Sequence, residues 1–236
     1  MSRSCAIIKN ECGDIRPQLG GLHYVGGLSW KFQLMRNTSM RVMPNYIDDQ
    51  FIQAWHPRYD ETEDDEPEYR RLLNKVAKEM GTDRSLTKQT FTEILNWKSA
   101  RVKGRIDWSA FETYTNAITK CQDVSGMERM RLLVDLPGIG APVASTFLQF
   151  IYPSLFPIID RRTVDVLRHF GYIQYKSTGI AQYPAFMAAV LALRDYCPKW
   201  SLREIDRAVF SFHKQNTALF GTLSKPNAPG TYHRAC

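Results

Sequence analysis

Asp160 ends the short apolar run Pro157-Ile158-Ile159 and is followed at once by Arg161 and Arg162. Roughly twenty residues upstream lies Leu136-Pro137-Gly138-Ile139-Gly140, a tight corner between two segments of helical pattern. Gly138 and Gly140 lack a β-carbon and tolerate positive φ, so backbone here can approach another molecule closely. Pro137 restricts the turn. The helix that follows starts immediately, and its unpaired first-turn N–H groups can hold a phosphate. An Asp opening a helix caps its first amides and is favoured there as an anion, so Asp160 can be a cap, a chemical group or both. A third feature is the basic strip Lys98, Arg101, Lys103 and Arg105, which suits nonspecific contact with a phosphate backbone. Metal chemistry finds no support. Cys5, Cys12, Cys121, Cys197 and Cys236 form no CxxC pair, and His23, His56, His169, His213 and His233 lack ligand spacing.

The elements that must position these groups are mostly helical. The segments "EPEYRRLLNKVAKEM", "TFTEILNWKSARVKGRI", "DWSAFETYTNAITKC" and "GMERMRLLVD" precede the corner. "APVASTFLQFIY", "RRTVDVLRHF", "YPAFMAAVLALRDYC" and "SLREIDRAVFSFHKQN" follow it. In the first, Leu72, Leu73, Val76 and Met80 recur near the 3.6-residue period. In the last, Ser201 and Glu204 form a capping-box signature. Residues 1–55, with glycine-dotted stretches such as "QLGGLHYVGGLSW", predict an irregular or small β-containing N-terminal extension. The body spans 56–222, and 223–236 has the composition of a flexible tail. With 44% hydrophobic residues the chain can fill a core. It has no apolar run of about eighteen residues and no signal-peptide core, which predicts a soluble intracellular protein.

Charge is unevenly spread. Asp60 to Glu68 holds seven acids and no base, and removing them from a chain of net charge +7 leaves +14 on the remainder. A basic remainder suits a polyanion, although a merely soluble basic protein has the same composition. The acidic run itself predicts a solvated loop or helix entrance.

Taken together, "LPGIGAPVASTFLQFIYPSLFPIIDRRTVDVL" resembles the helix-hairpin-helix (HhH-GPD) DNA glycosylases, which include endonuclease III, adenine DNA glycosylase and 8-oxoguanine DNA glycosylase. Hairpin, proline-containing loop and Asp stand in that family's order and spacing. The likeness extends more weakly over about residues 70–215. It implies a mainly α, two-lobed helical body that binds double-stranded DNA, flips a nucleotide and cleaves its N-glycosidic bond, as in base-excision repair. By resemblance Asp160 faces the sugar, where a carboxylate stabilises the oxocarbenium-like state and orients water. Members that also cut the backbone carry a lysine two residues beyond the second hairpin glycine. Here that residue is Pro142, so the resemblance implies a monofunctional enzyme unless another lysine substitutes.

Alignment with the adenine glycosylase helix puts Glu93 at the position of an acid that protonates the base; a solvent-facing glutamate is the alternative. The same helix puts Asn96, Trp97 and Lys98 near DNA. Trp97 stacks on a base or packs in the core, and Lys98, Arg101 and Lys103 hold phosphates. Leu136, Gly138, Ile139 and Gly140 make the hairpin contact, and the family's hairpin cation implies carbonyl ligation at Leu136 and Ile139. Arg161 and Arg162 bind flanking phosphates or pair with the acidic run. The chain departs from its relatives in lacking a four-cysteine loop, so no iron–sulfur cluster and no other cofactor is expected. The expected protein is a monomer. A non-catalytic hairpin module is the rival reading.

Overall fold

The computed structural model describes residues 46–61, 63 and 65–220. Residues 1–45 of the expected extension, and the expected tail 223–236, lie outside the described residues. Among the described residues the protein is mainly helical, with nine α-helices joined by turns and 3-10 segments, and no strand. They are α1 (Asp49–Trp55), α2 (Glu66–Thr82), α3 (Lys88–Ser99), α4 (Phe111–Lys120), α5 (Met127–Val134), α6 (Ala141–Ile151), α7 (Arg161–His169), α8 (Tyr183–Tyr196) and α9 (Leu202–Gln215).

Helix α6 is the centre of one group. It is buried along nearly its whole length and packs against α2, α3 and α5. Ala141, Ala144 and Ser145 let neighbours close in, while Phe147, Leu148 and Phe150 fill the space between them. Pro142 in its first turn costs no hydrogen bond, because that amide has no intrahelical partner. Helix α2 meets this group with Tyr69, Leu72 and Val76, an inward stripe at helical spacing. Each fully buried side chain of this size contributes about 1.5–3 kcal/mol.

Helix α9 organises a second group with α1, α7 and α8. Its N-terminus is the expected capping box, with Ser201 and Glu204 bonded reciprocally. Residues 49–55, assigned from sequence to the extension, are instead helix α1 in this group. Asp48 caps α1 by accepting from the Phe51 amide at 2.8 Å, and Phe51 and Trp55 pack on Phe212. A seven-residue helix is too short to display a period, which is why the sequence pattern concealed it.

The acidic run is likewise not simply solvated. Asp60 pairs with Arg207, Glu63 with Lys214, and Asp65 and Glu66 with Arg203. Arg203 and Arg207 are only 8% and 6% exposed, so these carboxylates are the counter-charges that let α9 bury two guanidinium groups.

His213, on α9, is buried, stacks on Phe220 at 4.5 Å, and lies 3.7 Å from the Asp165 carboxylate, beyond hydrogen-bond reach. Burial, then the nearby Arg162 charge, pushes its pKa below the ordinary value, against the pull of Asp165 and Asp160. The folded state therefore binds this proton less readily than the unfolded chain. Its contribution to stability is complete above about pH 6.5 and is lost as pH falls through the lowered folded-state pKa. Thermal melts between pH 7.5 and pH 5 are expected to show a fall in midpoint that His213→Leu reduces.

Candidate active site and nucleic-acid interface

The hairpin is present as expected, with α5 and α6 joined through residues 135–140. Its two glycines do different work. Gly138 has φ +78°, and a β-carbon there would lie 2.2 Å from the Arg105 carbonyl oxygen and 2.7 Å from its carbon. Its required close approach is thus internal, to the backbone at the end of the basic strip. Gly140, the N-cap of α6, has φ −87°, and a β-carbon there would meet nothing nearer than Pro142 Cδ at 3.8 Å. Leu136 and Ile139 bury their side chains, leaving only backbone to face a ligand. The Leu136 carbonyl already accepts from the Ile139 amide at 3.1 Å, and the Pro137 carbonyl from the Tyr114 hydroxyl at 2.8 Å.

Contact between Gly138 and Arg105 brings hairpin and basic strip together. The strip itself differs from expectation. Helix α3 stops at Ser99, and Ala100–Arg105 is a 3-10 segment rather than a continuation of the helix. Ser99 leaves helical geometry at φ −176°, and the indole of Trp108 donates to the Lys103 carbonyl at 3.0 Å, holding the segment in place. Arg101 and Arg105 are exposed, and neither they nor Lys103 has a carboxylate partner among the described residues.

Asp160 is the N-cap of α7. Its Oδ1 accepts from the Thr163 amide at 2.9 Å, and its own amide donates to Thr163 Oγ1 at 3.0 Å, completing a capping box. Its other oxygen, Oδ2, lies 3.8 Å from Lys98 Nζ, both side chains being about one-fifth exposed at 21% and 17%. The cap thus engages one oxygen and leaves the other nearest Lys98. The preceding residue is tied to the hairpin's second helix, since the Ile159 amide donates to Ser145 Oγ at 3.2 Å.

Other residues singled out from the sequence are differently placed. Glu93 is not drawn to Asp160. It accepts from Gln89 at 2.9 Å, Arg71 at 3.0 Å and Lys75 at 3.2 Å, between α2 and α3. Partial burial acts to raise its pKa, but the bonds from Gln89, Arg71 and Lys75 outweigh this and hold it below the usual value. An ion-paired anion is the opposite of the proton donor expected there. Trp97 packs on Tyr69 at 5.6 Å and Phe150 at 5.2 Å, the core alternative, with its indole N–H buried and unpartnered among the described residues. Asn96 is exposed. Arg161 bonds to Asp165 at 2.8 Å, and Arg162 lies over the Phe210 ring at 4.8 Å; among the described residues neither pairs with the acidic run. Among the described residues no cluster of His, Cys, Asp or Glu could hold a metal ion.

Sequence reasoning missed the groups that α9 adds. Arg203 lies over the rings of Tyr59, Tyr69 and Trp97 at 4.8, 4.5 and 5.3 Å, and its Nη1 donates to Asp206 Oδ2 at 3.1 Å. Arg203 also lines a cavity of about 330 Å³ with Tyr69, Gln149 and Arg207. The side chain of Asp206 is 16% exposed, and burial raises its pKa to about 6; Arg203 and Lys98 oppose the rise and the Asp160 charge adds to it. Leu202, Ile205, Ala208 and Val209 mark the apolar arc of α9; Asp206 stands beside its edge, whereas Arg203 and Arg207 are buried on another face that the apolar pattern does not mark. Buried charges need partners, and those partners come from distant segments. No protein-family model, curated protein or solved structure matches this chain, and the chemistry of the site stands on its own residues.

Proposed function

We propose that the protein is a monofunctional DNA N-glycosylase that flips a damaged, mismatched or modified base out of a duplex and hydrolyses its N-glycosidic bond. The observation that carries this reading is the divided carboxylate of Asp160, one oxygen fixed by the helix it caps and the other turned toward Lys98. Such a group is anchored, with the Thr163 amide on one oxygen and the Lys98 ammonium nearest the other. A departing base leaves positive charge on the deoxyribose. A fixed anion stabilises that charge and directs a water to C1′.

The surroundings support the same reading. Unpaired cations of the strip and the backbone of Gly138 and Gly140 adjoin one another, a combination that holds phosphates without reading sequence. On this reading a cation at the hairpin carbonyls is an accessory to DNA binding, the protein works as a monomer, and it acts in the compartment that holds DNA. Among the described residues no helix is long and apolar enough to cross a membrane.

The test is a panel of duplexes, each carrying one candidate base, assayed before and after hot alkali. Breaks appearing only after alkali identify a monofunctional glycosylase and its base. Salt-sensitive binding with no excision anywhere favours a hairpin binding module instead.

A second reading is favoured by one distance, the 3.8 Å between Lys98 Nζ and Asp160 Oδ2. A lysine beside the anion can attack C1′ itself, expel water to form an imine, and allow loss of the 3′-phosphate by elimination. Borohydride added to a reaction on abasic DNA distinguishes the two. The monofunctional reading expects no covalent adduct. The lyase reading expects an adduct with wild type and none with Lys98→Ala.

A further inference from the structure

Hydrolysis of a glycosidic bond needs a proton for the departing base as well as an anion for the sugar. Glu93 is not disposed to give it, being bonded to two cations. The groups around Asp160 contain another carboxyl. Asp206 lines a small void of about 10 Å³ with Pro157, Ile158 and Thr163, the residues flanking Asp160. Its Oδ2 is bonded to Arg203. Among the described residues nothing donates to its Oδ1, and that oxygen is not sealed from solvent.

We propose that Asp206 is the proton donor to the departing base, acting as a second carboxyl near the Asp160–Lys98 pair. The inference rests on the glycosylase reading and deepens it by assigning the acid. In the step, the C1′–N bond breaks and its electron pair stays with the base, which takes the Asp206 proton. Water forms the new C1′–O bond and gives its proton to Asp160. Solvent then removes that proton and restores the one on Asp206.

The charges facing Asp206 suit this role. Arg203 on its own helix and Lys98 from α3 favour its anion, while Asp160 from α7 and burial favour the protonated form. Tyr69 of α2 and Tyr59 also feel its charge. Asp65 and Glu66 reach Arg203 rather than Asp206, and α8 adds only apolar Phe186 and Val190 to the void. Burial outweighs the two cations and raises the carboxyl to about 6. A carboxyl raised by burial, placed near a second carboxylate, is a pattern that suits an acid and its partner.

Two measurements test the proposal. On the free protein, carbon-detected titration of the Asp206 carboxyl should give a midpoint near 6; a midpoint in the ordinary range near 3.9 overturns it. On whichever panel duplex the wild type acts, single-turnover excision should fall about tenfold per pH unit above that midpoint. Asp206→Asn should be slower by about 10²-fold and lose this limb, because its side chain cannot give up a proton. Asp206→Glu, which keeps both the Arg203 pair and the acid, should retain the limb and controls for a variant that misfolds. Wild-type rate in Asp206→Asn, or an unchanged pH profile, overturns the assignment. Should the wild type excise none of the panel bases, the glycosylase reading fails and takes the acid role with it, whatever midpoint the free carboxyl shows.

Discussion

Asp160→Asn is expected, on the glycosylase reading, to lower single-turnover excision by about a thousandfold while leaving the fold and the affinity for duplex nearly unchanged. The separation follows from the two oxygens. Asparagine is as good an N-cap as aspartate, so its amide oxygen can still accept from the Thr163 amide, and α7 should lose less than about 1 kcal/mol. What disappears is the negative charge beside Lys98. Removing one preorganised electrostatic contact from a reaction centre typically costs about 10²–10³-fold in rate, and loss of general-base function adds to that. Thermal melts and filter binding measured beside the excision rate decide the matter. A large drop in melting temperature would make Asp160 a structural cap only, and an unchanged rate would remove it from the chemistry.

The second large effect is on stability. Gly138→Ala forces a β-carbon into the left-handed region, at about 1–2 kcal/mol, and onto the Arg105 carbonyl 2.2 Å away, where relief needs a backbone shift of about 1–3 kcal/mol more. A urea melt should therefore show a loss of about 2–5 kcal/mol. Gly140→Ala is the control, because its φ is negative and the space beside it is open. That variant should melt as wild type does. If the backbone of Gly140 meets a phosphate, its duplex affinity should still fall, since the added methyl group stands on the exposed hairpin face. Equal melting curves for the two variants would show that the Arg105 contact does not constrain the corner.

Much of this was legible in the residues, and the exceptions have a common cause. Helical periods, the corner at 136–140, the capping box at Ser201 and Glu204, and an Asp opening α7 are all local patterns, written within a few residues of one another. The failures are pairings across the fold. Nothing near Glu93 in sequence announces Arg71 and Lys75 on the neighbouring helix. Asp60 and Arg207 are 147 residues apart, so the acidic run could be read as a solvated loop or helix entrance but not as the source of α9's counter-charges. Gly138 looked like a residue kept small for a ligand, and its neighbour proves to be the protein's own backbone. Lys98 was visible as a cation but not as the partner of Asp160, because its helix ends one residue later and the following turn takes another course.

On the glycosylase reading, the bond from Ile159 to Ser145 bears on which nucleotide can reach Asp160. Ser145 belongs to α6, the most buried helix of its group, whose first residue follows Gly140 directly; Ile159 precedes Asp160. Hairpin backbone and carboxylate are thus the two ends of one stiff gauge, held by packed helix and not by a loop that adjusts to its load. On the glycosylase reading, gripping a phosphate at one end fixes where a sugar must lie at the other. A nucleotide still stacked in the duplex and one turned outward present their C1′ atoms at different distances from that phosphate. Discrimination between them then comes from length, before any group has touched the base.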